Sequence, residues 1–177
     1  PGSSFKPFIY SAALEEGVMP NTLISDSPLT LDAGVTGGRA WSPKNYDGSN
    51  GPPLTMRQGL TKSKNLVSVR ILQTVGTQKT QDWAVRFGFP AERTPPYLTM
   101  ALGAGTVTPM ELATGYAVFA NGGHKINPYI IALIKDQRGN TITEVTPPAL
   151  NEGMRTISPR NAFVMDTLLN DVATRGT

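Results

Sequence analysis

The sequence contains no cysteine. That excludes disulfides, thiol catalysis and thiolate metal sites. It contains one histidine, His124, so a Ser-His-Asp triad would have to use it, and a metal site would need more ligands than one imidazole and scattered carboxylates. Neither cofactor nor metal is expected. Charge is also scarce: Asp, Glu, Lys and Arg make up 16% of the residues, against about a quarter in an average domain. The net charge of +3 is scattered. Lys62, Lys64 and Arg70 come nearest to a basic cluster and have no aromatic between them, which argues against nucleic-acid binding. A mildly basic surface facing an anionic polymer or membrane fits this balance. The longest apolar stretch, Tyr129–Ile134, is far too short to span a bilayer. No leader pattern precedes Pro1-Gly2-Ser3-Ser4, so an export signal or anchor is expected only outside these residues.

Glycine and proline are plentiful, at 18 and 15 of 177 residues, and 39% of the chain is hydrophobic. This reads as one compact, loop-rich domain. Phe5, Phe8, Ile9, Ala12 and Ala13 recur at helical spacing, predicting a first helix from about Ser4 to Glu16 with Pro7 in its first turn. Residues 18–54 carry no sustained period. Short strands such as Leu29–Leu31 could lie there, and so long an irregular stretch is usually functional. Thr55-Met56-Arg57-Gln58 resembles a capping box. Further helices are expected over Asn65–Val75, from a cap at Thr77 to Gly88, from Thr108-Pro109 to Ala120, and from Ser158-Pro159 to Gly176. Tyr129–Lys135 and Thr141–Val145, flanking Arg138-Gly139-Asn140, read as a β-hairpin that must pack on further sheet.

Ser3-Ser4-Phe5-Lys6 places a serine one helical turn before a lysine. That spacing can bring the hydroxyl and the amine within hydrogen-bond reach. Serine is a weak nucleophile until a base takes its proton, and lysine serves as that base only where its pKa is lowered. A helix N-terminus would also favour a developing anion. Random sequence of this length contains an S-x-x-K about once, so the alternative is a capping serine with an exposed lysine. Ser63-Lys64-Asn65, on a short link between helices, adds a second hydroxyl and an amide that can donate and accept. Its bland reading is that Ser63 caps the next helix. Gly103-Ala104-Gly105 lacks the lysine of a phosphate loop and reads as a tight turn near the core. Trp41 and Tyr46 could either wall a groove or anchor an irregular loop.

S-x-x-K with S-D-N and K-T-G forms the motif set of penicillin-binding proteins and class A β-lactamases. Here the first two are present, the second as S-K-N. Pro1–Phe8 resembles the nucleophile region of penicillin-binding proteins. Trp41-Ser42-Pro43-Lys44-Asn45-Tyr46-Asp47-Gly48, Leu102–Gly105 with Val107-Thr108-Pro109, and Tyr116–Gly123 resemble stretches of their bifunctional class A members, closest to the 1a type of Gram-negative bacteria. The resemblance covers essentially the whole chain. It implies an α+β fold of the penicillin-binding transpeptidase and serine β-lactamase type, represented here by its helical part and a hairpin. It implies Ser3 as the acylated nucleophile, Lys6 as base, Ser63 as proton shuttle and Asn65 as substrate holder. The implied partners are peptidoglycan stem peptides ending in D-Ala-D-Ala and β-lactams. An upstream glycosyltransferase domain and an anchor in the inner membrane, with this domain on the periplasmic side, are also implied.

No K-T-G occurs. Lys79-Thr80-Gln81 fails at its third position and lies in a predicted helix, and Arg175-Gly176-Thr177 is not the motif. The expectation is therefore a partial transpeptidase domain over residues 1–177, from S-x-x-K to a point before K-T-G, with the remaining strands outside it. The alternatives are a serine β-lactamase or D,D-carboxypeptidase of the same superfamily, or a non-catalytic β-lactam sensor. No Glu is placed to activate a deacylating water, so slow turnover of acyl-enzyme is expected.

Overall fold

A computed structural model describes residues 1–36 and 38–177. At its centre is α1 (Lys6–Glu15), which follows a 3₁₀ turn over Gly2–Phe5. Every residue from Lys6 to Leu14 is buried. The expected one-sided helix is thus enclosed on all sides, because α4 (Asn65–Val75), α5 (Thr77–Arg86) and α7 (Pro159–Arg175) pack around it. Its polar positions are matched: the Tyr10 and Ser68 hydroxyls lie 3.1 Å apart, and Ser11 Oγ donates to Asn161 Oδ1 at 2.8 Å. Phe8 is the hub of the aromatic packing, with ring centroids 4.7 Å from Phe89, 5.1 Å from Phe87 and 5.5 Å from Phe119. Truncating such a ring to alanine costs about 3–5 kcal/mol.

The enclosing helices are α3 (Met56–Thr61), α4 (Asn65–Val75), α5 (Thr77–Arg86), α6 (Pro109–Ala120) and α7 (Pro159–Arg175); α2 (Ala33–Thr36) lies in the irregular stretch. Two capping boxes open α3 and α6, at Thr55/Gln58 and Thr108/Glu111. The expected cap at Thr77 is corrected. Gly76, at φ 92°, ends α4 and starts α5, so Thr77 is already helical, and no side chain caps α5.

Residues 18–54 are tied down by few backbone pairs. β1 (Leu23–Ile24) pairs antiparallel with β2 (Leu54–Thr55). No strand forms over Leu29–Leu31; Leu31 makes only an isolated bridge to Trp41. The second sheet is the expected hairpin, shortened to β3 (Leu133–Lys135) and β4 (Thr141–Glu144). Both its strands are exposed throughout. Among the described residues no helix is long and apolar enough to cross a membrane.

Candidate active site

Ser3 sits exposed in the 3₁₀ turn that leads into α1. Three contacts fix that turn. Gly2 N–H donates to the Gly103 carbonyl at 3.3 Å, Ser4 Oγ donates to Pro1 O at 2.6 Å, and Tyr116 Oη donates to Ser4 O at 2.8 Å. Gly103 is left-handed at φ 69°, and a Cβ there would fall 2.1 Å from Gly2 O. The Gly103–Gly105 turn is therefore the bed on which the serine segment rests.

Lys6 opens α1 with only 1% of its surface exposed. Its Nζ donates to Ser63 O at 2.7 Å, Ser63 Oγ at 3.1 Å and Asn65 Oδ1 at 2.8 Å. The structure therefore brings Lys6, Ser63 and Asn65 together. The expected direct bond between Ser3 and Lys6 is absent among the described residues, because the amine already has three acceptors. Burial lowers the Lys6 pKa to about 8, so roughly a tenth of the amine is free at pH 7.

Ser63 reaches Lys6 through an unusual backbone. It is the one non-glycine residue with positive φ among those described, at 50°. Lys64 N–H bonds back to Gly59 O and Ser63 N–H to Leu60 O, both at 2.9 Å, closing α3 with a left-handed cap normally given to glycine. A side chain in that conformation costs about 1–2 kcal/mol. Glycine there would remove the strain and also the hydroxyl that meets Lys6.

Ser63 does not cap α4. Lys64 is the N-cap residue and lends no side-chain bond. The cap comes from a loop some twenty residues earlier: Asn45 Oδ1 accepts from Asn65 N at 2.9 Å and Leu66 N at 3.2 Å. Asn45 Nδ2 donates to Asp26 Oδ1 and to Ser49 O, each at 2.8 Å. Asn65 Nδ2 donates to Lys44 O at 2.8 Å. Lys64 Nζ lies 3.0 Å from Asp47 Oδ2 and 3.7 Å from Asp26 Oδ2. The Lys44–Ser49 loop is thus fastened to the S-x-N segment by both backbone and side chains. Sequence reasoning missed Asn45, Asp26 and Lys64 as site components. Asn45 lay within a stretch singled out by resemblance, whereas Asp26 had no signal.

A cleft of about 390 Å³ opens here, lined by Ser3, Asn45, Tyr46, Asp47, Ser63 and Asn65 among others. Among the described residues Asp47 is the one acidic side chain lining it, and its bonds from Lys64 and Ser49 lower its pKa to about 2. Tyr46 walls this cleft, whereas Trp41 pairs with Leu31 and packs against the core. His124 lies away from the cleft, with Nδ1 2.9 Å from Asn121 O. Among the described residues no three His, Cys, Asp or Glu side chains are placed to hold a metal ion.

The penicillin binding protein transpeptidase domain family matches residues 1–177. Penicillin-binding protein 1A of Neisseria flavescens is 46% identical over all of this chain, which spans 22% of that protein. Penicillin-binding protein 1A of Pseudomonas aeruginosa is 43% identical over 84% of this chain and 18% of its own length. The chain therefore spans about a fifth of these curated relatives. The crystal structure of penicillin-binding protein 1A from Haemophilus influenzae superposes with a TM-score of 0.87 at 35% identity, covering 97% of this chain and 29% of that one.

Proposed function

Because the chain belongs to the penicillin-binding-protein transpeptidase family, we propose that residues 1–177 are the part of such a domain that carries its nucleophile, Ser3, and cross-links peptidoglycan stem peptides. The observation that carries this reading is the buried Lys6 amine, held by Ser63 and Asn65 beside a cleft that Ser3 lines.

Burial supports the base role. Among the described residues no carboxylate pairs with Lys6, and desolvation lowers its pKa toward the neutral form. In the proposed reaction Ser3 Oγ attacks the carbonyl carbon of the penultimate D-Ala while Lys6 Nζ takes its proton. The peptide C–N bond breaks, the terminal D-Ala leaves with a proton relayed through Ser63, and an acyl ester remains on Ser3. The amine of a second stem attacks that ester and loses its proton to the Ser3 oxygen through Lys6. A new amide and a free serine result. Asn65 keeps one amide N–H beyond its bond to Lys44 O, which is available to a substrate carbonyl.

A β-lactam enters the same first step, but its leaving nitrogen stays tethered. Asp47, with its pKa lowered to about 2, is a feeble base for the water that would release such an ester. That favours a long-lived adduct over β-lactamase turnover. In the longer protein we place this domain on the periplasmic side of the inner membrane, with a glycosyltransferase domain and an anchor upstream.

The test is a fluorescent penicillin added to the full-length protein, read by gel and intact mass. One stable adduct is expected, lost in Ser3→Ala. No adduct on the parent protein, or an adduct retained in that variant, removes Ser3 from the role.

A further inference from the structure

Resting on this reading of the site, we infer that Asn45 is a positioning residue. It orients Asn65, and through Asn65 the Lys6 amine, from a loop that belongs to neither motif. All four bonds of its amide are used. The carbonyl caps the first two N–H groups of α4, and the NH₂ group binds Asp26 and the Ser49 carbonyl. The side chain is 5% exposed and Asp26 is 1% exposed, so water cannot substitute for either partner.

The consequence for Asn65 follows from donor and acceptor chemistry. Its Oδ1 faces Lys6, which in its protonated form only donates, and its Nδ2 faces Lys44 O, which only accepts. Lys44 is the residue before Asn45, so one anchored loop holds the backbone N–H and the side-chain amide of Asn65 together. Lys64 clasps the same loop from the opposite strand of contacts, through Asp47 and Asp26. If Asn45 lets go, Asn65 loses its backbone cap and the carbonyl that selects its amide orientation. Lys6 then loses a fixed acceptor.

Asp26 sets the polarity of this arrangement. A carboxylate at its position demands a donor from residue 45, while α4 demands an acceptor. Asparagine supplies both on one planar group. Aspartate at position 45 would keep the cap but oppose both Asp26 and the Ser49 carbonyl across 2.8 Å contacts.

The experiment is carried out on the full-length protein, with acylation by a fluorescent penicillin followed under saturating drug and melting temperature measured alongside. Asn45→Ala and Asn45→Asp are each expected to slow acylation roughly 100-fold, the effect of displacing a reacting group by about 1 Å. Adding Asp26→Asn to Asn45→Asp restores the donor–acceptor pair with residue 26, though not the bond to the Ser49 carbonyl, and is expected to acylate several-fold faster than Asn45→Asp alone. Ser158→Ala removes the cap of α7, where Ser158 Oγ accepts from Asn161 N, and controls for loss of a helix cap outside the site. It is expected to lower the melting temperature with acylation within roughly 2-fold of the parent. The inference is overturned if Asn45→Ala slows acylation no more than Ser158→Ala does, or if the double variant is no faster than Asn45→Asp. Those results leave the role of Ser3 standing. A parent protein that takes up no label overturns both.

Discussion

Two polar assemblies in this molecule are built on opposite plans. Around Lys6, partners come from 57 and 59 residues away, and the amine is enclosed with a lowered pKa. In the hairpin, Asp136 accepts from the N–H groups of Arg138 and Asn140 and from the Asn140 side chain, all within four residues and all exposed. The hairpin turn can close on local chemistry alone. The Lys6 knot exists only when α1, the α3–α4 link and the Lys44–Ser49 loop have all docked. The hairpin plan gives a shape that tolerates change. The Lys6 plan gives a charge held in an unfavourable place, useful for chemistry and sensitive to every neighbour.

The largest break in this contrast is Lys6→Met. It keeps a long flexible side chain, removes the proposed base and is expected to slow acylation by about 10³-fold. In the parent, acylation is expected to rise with pH and level off above about 8, as the amine loses its proton. Stability carries the same signature. The folded pKa of about 8 lies below the unfolded value near 10.5, so between them the unfolded chain binds more protons than the native one. Stability therefore rises with pH across that window, by up to about 3 kcal/mol for this group alone. Tyr10 and Tyr116 act the other way. Burial raises both, so the native state keeps phenolic protons that the unfolded chain loses above about 10. Melting curves should show a gain from pH 8 to 10 and a decline beyond it. Lys6→Met should lack the gain and keep the decline.

Gly103→Ala comes next. The added methyl would overlap Gly2 O, and the position is left-handed as well. The serine turn must move, and acylation is expected to fall roughly 100-fold, with a loss of about 2 kcal/mol in stability. Tyr116→Phe is milder. It deletes the hydroxyl that donates to Ser4 O but keeps the ring against Phe8. A loss of about 1 kcal/mol is expected, with a several-fold slower acylation read by the same label.

What could be read from the sequence divides along the same line. The capping box at Thr55, the helix start at Thr108-Pro109, the end of α4 at Gly76 and the hairpin turn at Gly139 are local chemistry, and each was legible. Ser3, Lys6, Ser63 and Asn65 were legible as motifs, but their mutual bonding was not. Helical spacing pointed Lys6 at Ser3, while the fold gives its bonds to Ser63 and Asn65. Ser63 read as an ordinary cap because nothing in the sequence reveals positive φ at a non-glycine residue. Asn45 and Asp26 were invisible as partners because two side chains that meet at 2.8 Å lie nineteen positions apart in the sequence.

Gly139→Ala should have the smallest effect and tests the other half of the contrast. Gly139 has φ 84°, and no atom lies within 4 Å of where its Cβ would stand. The cost is conformational alone, about 1–2 kcal/mol for a left-handed alanine. Because β3 and β4 are exposed at every residue, that cost falls on local opening of the hairpin rather than on the core. Amide exchange at Asp136–Asn140 should accelerate about tenfold, the rate change matching 1.4 kcal/mol. Exchange in α1 and α4 should not change. Acylation should stay within the error of the parent, since among the described residues no bond from the hairpin reaches the Lys6 knot. A slowed acylation in this variant would mean that the turn and the site are mechanically joined, and that the two plans are parts of one.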